Sequence, residues 1–155
     1  MEFKAALSRI CTSPESDAVL LQRPVPHFLD GALSEEEIAL AIPPSKDVDG
    51  FHPENQGRVA SGLTGGFAPC TPAGIIRLLE FYGVNLVGKT AVVVERNTIV
   101  GRPMAQLLLQ KDATVIQVHS RTPHPERWLQ LADIAVIAAG RPKLFVSSQF
   151  KKDVI

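Results

Sequence analysis

The rhythm of hydrophobic and polar positions changes near the middle of the chain. After Thr71 it becomes regular. Thr71 precedes Pro72 and the apolar-periodic run IIRLLEFYG, which predicts a helix capped by Thr71, with Pro72 at its first position and a stop at Gly83. The pattern then predicts a strand at 90–94, a helix at 102–111 (RPMAQLLLQK) and a strand at 113–118 (ATVIQV). A helix at 125–132 and a strand at 133–138 (DIAVIA) follow. Strands that are unbroken apolar runs, alternating with helices, imply a parallel sheet with right-handed crossovers. This is the doubly wound α/β pattern. A further strand starts at the closing KKDVI.

The first seventy residues are less periodic. EFKAALSRIC, residues 2–11, predicts a short helix, and DAVLLQ, 17–22, a buried strand. QRPVPHFLDG must be a loop, because two close prolines remove ladder donors. Ser34 and Glu37 have the spacing of a capping box, and Ile38, Leu40 and Ala41 give the helix behind it an apolar face. That helix ends at Pro43-Pro44. Residues 45–70 carry five glycines and no sustained period, so they are expected to be mostly loop. A polar loop of that length inside a compact domain is usually functional.

Composition narrows the classes. The 155 residues carry 16 basic and 16 acidic side chains, so nothing points to nucleic acid or an anionic membrane as a partner. The longest apolar runs are too short to cross a bilayer, and MEFKAALSRI lacks the apolar core of a signal peptide. Cys11 and Cys70 have no metal-ligand spacing, so no metal is expected. Two buried, reduced thiols in a cytoplasmic protein are the expectation.

In a doubly wound sheet, ligands bind beyond the carboxyl ends of the strands. Those ends are Glu95-Arg96-Asn97-Thr98, His119-Ser120-Arg121-Thr122 and Ala139-Gly140-Arg141-Pro142. The helix opening near Gly101 would offer backbone N–H groups and a positive dipole end to phosphate. The second strand's end normally carries an acid for the ribose of NAD, but here it carries Ser120 and Arg121. A hydroxyl and a guanidinium suit a 2′-phosphate, which favours NADP. The pattern is nevertheless E-x-N-x-x-x-G rather than G-x-G-x-x-G, and Arg121 also reads as a plain solvated charge.

The loops are more specific as an ordered set. QRPVP at 22–26, KDVDGFHPEN at 46–55, GR at 57–58 and PCTPAGI at 69–75 come first. VVV-x-R-x-x-IVGRPM at 92–104, ATV at 113–115, HSRT at 119–122 and AAGRP at 138–142 follow. Over nearly all of residues 17–155 the chain resembles the bifunctional methylenetetrahydrofolate dehydrogenase/cyclohydrolase family.

The resemblance implies part of a folate-binding catalytic α/β domain over 1–70. It implies a Rossmann-like NADP-binding domain over 71–155, with its last strand and C-terminal helix missing. The implied chemistry is oxidation of 5,10-methylene-tetrahydrofolate with NADP, then hydrolysis of the methenyl product to 10-formyl-tetrahydrofolate, in a homodimer. Asp49 matches the aspartate that grips the pterin, whose amino and ring N–H groups a carboxylate can accept in parallel. Gln22 matches the glutamine that orients the catalytic lysine, though it also reads as an amide ending a strand. With Asp49 it forms the implied catalytic pair, and Leu21 and Arg23 join them as implied substrate contacts. Asp47 reads as the cap of the turn that Gly50 completes, and His52 as a loop histidine. Pro69 to Pro72 sets the helix entry, with Cys70 as packing. Glu95, Arg96, Asn97, Gly101, Ser120 and Arg121 fall at the implied cofactor contacts.

The departures from the family pattern are as specific as the matches. The catalytic Tyr-x-x-x-Lys would lie upstream of Gln22, and Tyr82 is no substitute, being followed by Gly-Val-Asn-Leu. The Pro-Gly-Gly segment that closes over the ligands is also absent, and Arg23 replaces the leucine of Gln-Leu-Pro. Without the lysine, the general acid/base of the hydrolytic step, chemistry by these residues alone should be impaired. A non-catalytic, dimerising remnant of the family is the alternative reading. The family's Gly-Arg-Ser turn reads Glu95-Arg96-Asn97. A glutamate there sets a like charge against phosphate, roughly 4 kcal/mol at 4 Å in a medium of dielectric about 20. If the side chain cannot swing away, that is about a thousandfold in affinity.

Overall fold

The computed structural model describes residues 2–22 and 34–155. Cα proximity divides the chain into two compact units, Met1–Cys70 and Thr71–Ile155.

In the first unit, α1 (Glu2–Thr12) and α2 (Glu35–Ala41) form where expected. The capping box at Ser34 is complete: Glu37 N–H donates to Ser34 Oγ at 3.1 Å, and Ser34 N–H donates to Glu37 Oε2 at 2.7 Å. Leu7, Cys11, Val19 and Ile42 make a small apolar core. Two expectations change here. DAVLLQ is not a buried strand: among the described residues it makes one parallel bridge, Val19 to Asp47, and Leu20 is exposed. Residues 45–70 also contain a helix, α3 (Pro53–Ala60). Its signals are terminal rather than periodic. His52 caps it, with Glu54 N–H donating to the ring Nδ1 at 3.1 Å, and Pro53 holds the first position, where a missing N–H costs nothing. Arg23 and the loop around it lie outside the described residues.

The second unit is a parallel sheet in the order β2-β1-β3, with β1 at Thr90–Val94, β2 at Thr114–Val118 and β3 at Ile134–Ile137. β1 pairs with β2 from Thr90↔Thr114 to Val94↔Val118, and with β3 from Ala91↔Ile134 to Val94↔Ile137. Two-residue alternation sends the β1 side chains to opposite faces. Ala91 and Val93 pack with Ile76 and Leu79 of α4 (Cys70–Phe81) and with Met104 and Leu108 of α5 (Gly101–Leu109). Val92 and Val94 pack with Val118, Leu129 and Ala132 on the other side. β1 is therefore buried on both faces, which is why it reads as an unbroken apolar run.

Helix ends differ from expectation for local reasons. α4 starts at Cys70, so Thr71 lies inside its first turn rather than capping it. α5 stops at Leu109, because Lys111 and Asp112 N–H reach back only three residues and Asp112 turns to φ 61°. α6 is short (Glu126–Leu129), and Leu131 and Ala132 continue it as a turn with the same three-residue bonds. At the other end, Ile155 bonds β3: its N–H donates to Asp133 O at 3.0 Å, and its carbonyl accepts Ala135 N–H at 2.8 Å. Among the described residues no helix is long and apolar enough to cross a membrane.

Candidate functional site

Because β2 and β3 flank β1 on opposite sides, the carboxyl end of β1 is a topological switch point, where open α/β sheets bind ligands. A cleft of about 510 Å³ opens there. That volume suits a small-molecule site of roughly 300–1,000 Å³. Its polar lining includes Glu95 and Arg96 after β1, His119, Ser120 and Thr122 after β2, and Arg141 after β3. Leu144 and Phe145 add apolar wall.

The turn after β1 is tied down on every side. Glu95 N–H donates to Val118 O at 3.0 Å, and Gln117 Nε2 donates to Glu95 O at 2.9 Å, fixing the turn to β2. The Glu95 carboxylate folds back onto its own turn. Its Oε1 accepts the backbone N–H of Arg96 at 2.6 Å and of Asn97 at 3.1 Å. Asn97 Oδ1 in turn accepts the N–H groups of Val100 at 2.7 Å and Gly101 at 3.1 Å. Arg102 Nε donates to Arg96 O at 3.2 Å and closes the loop.

This geometry revises three expectations. The N–H groups of Val100 and Gly101 are not free for phosphate, because the Asn97 side chain already caps them. Gly101 serves packing: a Cβ there would meet Glu95 O at 2.5 Å and Arg96 N at 2.7 Å, so glycine lets α5 approach the strand end. Finally, Glu95 does not aim a bare charge at the site. The simple repulsion estimate therefore describes a conformation the turn does not hold.

The loop after β2 is a closed turn. Thr122 N–H donates to His119 O at 2.8 Å, and His119 N–H donates to Thr122 Oγ1 at 3.0 Å. Arg121 N–H donates to His119 Nδ1 at 3.2 Å, so a neutral His119 carries its proton on Nε2. Ser120 lines the cleft, whereas the Arg121 side chain is exposed and does not. The cations that do line it are Arg96 and Arg141. Arg141 stands at the third strand end, in a stretch that the sequence also places at the carboxyl edge of the sheet. Position directly after β3 was the signal available.

Among the described first-unit candidates, Asp47 and Asp49 share one turn. Asp47, 3% exposed, accepts His52 N–H at 2.7 Å and Asn55 Nδ2 at 2.9 Å. Asn55 Nδ2 also reaches Pro44 O at 2.9 Å. Gly50, at φ +68°, lets the chain turn where a Cβ would strike Phe67 O at 2.6 Å. Asp49 and Leu21 share the lining of a recess of about 10 Å³, room for about one water. Gln22 is exposed beside it and does not line the recess. Cys70 is exposed rather than buried, its thiol 3.5 Å from Val48 O and 4.0 Å from Asp49 Oδ1. Cys11 is buried as expected, and burial pushes its thiol pKa up.

A parallel sheet with its cleft at the switch point narrows the fold; relatives narrow it further. The family described as tetrahydrofolate dehydrogenase/cyclohydrolase, NAD(P)-binding domain, matches residues 69–155. The chain belongs to this family. It is 50% identical over 152 residues to a protein of Streptococcus thermophilus named bifunctional protein FolD, covering 98% of this chain and 51% of the relative. Among solved structures, the bifunctional FolD enzyme of Campylobacter jejuni superposes with a TM-score of 0.92 at 39% identity, over 99% of this chain and 53% of that one. The Trypanosoma brucei dehydrogenase-cyclohydrolase, solved with NADP cofactor and an inhibitor, gives a TM-score of 0.86 at 31% identity, over 97% and 50%. The chain spans about half the length of the curated relatives it matches. The Rossmann-like reading of the second unit holds.

Proposed function

We propose that the second unit binds NADP in the cleft at the β1 switch point. The chain then belongs to a protein that interconverts 5,10-methylene-, 5,10-methenyl- and 10-formyl-tetrahydrofolate. The observation that carries the cofactor reading is the cleft's lining. Arg96, Ser120 and Arg141 face a volume of nucleotide scale, and no carboxylate occupies the His119–Thr122 turn. Two guanidiniums and a hydroxyl suit the 2′-phosphate that distinguishes NADP from NAD. Asn97 and Gly101 shape the turn beneath, and Arg121 contributes charge from outside the cleft.

Asp49, with Leu21, Gln22 and Arg23, is the proposed folate-contacting set of the first unit, and Asp47 is the internal anchor of its turn. A homodimer fits the family resemblance. Hydride transfer is the cofactor's own chemistry. What these residues supply is binding and orientation, since no Tyr-x-x-x-Lys occurs among the 155 residues.

Trp128, the one tryptophan, lies on α6 just beyond the cleft-lining Pro125 and Glu126, so its fluorescence should respond to occupancy. NADP should bind at least about tenfold more tightly than NAD, the worth of roughly one additional charge-assisted contact. Equal affinities would remove the 2′-phosphate assignment, and no binding of either would remove the nucleotide site. With methylene-tetrahydrofolate added, the 155-residue chain should bind without appreciable turnover. Sustained turnover would show that the lysine is dispensable.

A further inference from the structure

Glycine-rich turns bind phosphate by offering successive backbone N–H groups to an anionic oxygen. Here an anionic oxygen is already in place. Glu95 Oε1 accepts Arg96 N–H and Asn97 N–H, two successive donors, at 2.6 and 3.1 Å. Asn97 Oδ1 takes the next pair at the entrance to α5, Val100 and Gly101. The turn thus carries an internal anionic oxygen on two successive N–H groups, at the edge of a cleft lined by Arg96, Ser120 and Arg141.

We propose that Glu95 is a built-in competitor for the pyrophosphate of a dinucleotide: NADP binds once the carboxylate has swung off the two N–H groups, and this displacement sets the site's affinity. The inference rests on the NADP reading above and deepens it. Glu95 is half-buried and lines the cleft, so open space adjoins its side chain. The cost of the displacement is the loss of two charge-assisted hydrogen bonds, partly returned by the phosphate that takes them over. Competition of this kind acts on the pyrophosphate alone. An adenosine ligand phosphorylated at the 2′ position, with nothing on its 5′ carbon, engages the cationic lining and leaves the Glu95 bonds intact.

Affinities of NADP and adenosine 2′-monophosphate, measured by Trp128 fluorescence in the unmodified chain and in Glu95→Gln, separate the two effects. The glutamine keeps the shape and one acceptor oxygen while removing the charge. NADP should tighten on the order of tenfold to a hundredfold, as one net charged hydrogen bond is worth. Adenosine 2′-monophosphate should change less than about threefold, since a screened charge acts weakly at a distance. Glu95→Ala, which removes the acceptor, should tighten NADP at least as far as Glu95→Gln. Equal tightening of both ligands would show a general charge effect and overturn the displacement mechanism. NADP that binds the unmodified chain and is not tightened by either substitution would overturn it too. NADP that binds none of the three proteins would instead overturn the nucleotide reading on which the mechanism stands.

Discussion

The two units solve the same problem, fixing one turn beside a proposed ligand-binding surface, by opposite means. In the second unit the turn hangs from the end of β1, whose Ala91, Val92 and Val93 are wholly buried between two apolar layers. Apolar area positions it, at about 25 cal/mol for each Å² removed from water. In the first unit the turn around Asp49 has one isolated bridge beside it and a buried polar pair, Asp47 and Asn55, beneath it. Polar anchors of that kind are exacting, because each unpaired donor left behind costs more than the bond contributes. Apolar burial tolerates small changes, while a polar anchor fails as soon as one partner is lost.

Both units also depend on one glycine where two backbone segments cross, and here the comparison can be broken most forcefully. Gly50→Ala combines a left-handed φ with overlap against Phe67, Ala68 and Pro69 backbone. It should cost about 4 kcal/mol, read as a large drop in the urea midpoint of the first unit. Asp47→Ala strands one N–H of the Asn55 amide and the His52 N–H and should cost about 3 kcal/mol. Asp47→Asn, which keeps an acceptor oxygen, should recover much of that loss. Gly101→Ala meets the backbone of Glu95 and Arg96 as closely but carries no φ penalty, so about 2 kcal/mol is expected, together with weakened NADP binding. If Gly101→Ala proved the costlier glycine change, the order argued from φ would be wrong.

The same contrast explains what the sequence made legible. β1 falls at 90–94 as its pattern predicts, because a strand buried on both faces leaves an unbroken apolar signature. α3 leaves none. Its buried residues are Asn55 and Val59, one of them polar, so no apolar period marks the helix and its evidence is the cap at His52-Pro53. DAVLLQ carries a strand's composition, yet Val19 is buried while Leu20 is exposed, and a strand needs partners its own residues do not specify. The cleft follows from topology and was therefore readable. Which arginine faces it was not, since Arg121 and Arg141 both sit at strand ends and the turn geometry decides between them. Glu95 shows the same limit. Its charge is plain in the sequence, but the fold of its carboxylate onto Arg96 and Asn97 belongs to the packed turn.

Capping in the first unit offers a milder test. Ser34→Ala removes the acceptor of Glu37 N–H and should lower stability by about 1 kcal/mol, with the loss confined to α2 by hydrogen exchange. Protection lost equally in the second unit would show that this cap supports more than its own helix.

The smallest expected effect concerns the electrostatic clasp at the other end of the sheet. Asp133 accepts Thr90 N–H at 2.9 Å through Oδ2, joining the start of β3 to the start of β1, and Lys151 Nζ through Oδ1. Lys151 first and the Thr90 N–H second hold its pKa below the ordinary aspartate value of 3.8. A carboxylate with a depressed folded pKa adds stability that is complete above its unfolded value and is lost as pH falls through the folded one. The second unit should therefore be insensitive to this group from neutrality down to about pH 5 and weaken below about pH 4. Asp133→Asn should flatten that acid limb while lowering stability slightly at neutral pH, the loss staying small because the Lys151 pair is partly exposed and screened by solvent. The decisive measurement is the difference in urea midpoint between the two proteins as a function of pH. A difference that stayed constant from pH 7 to pH 3 would mean that the clasp acts through the neutral geometry of its hydrogen bond to Thr90, and that its charge holds nothing.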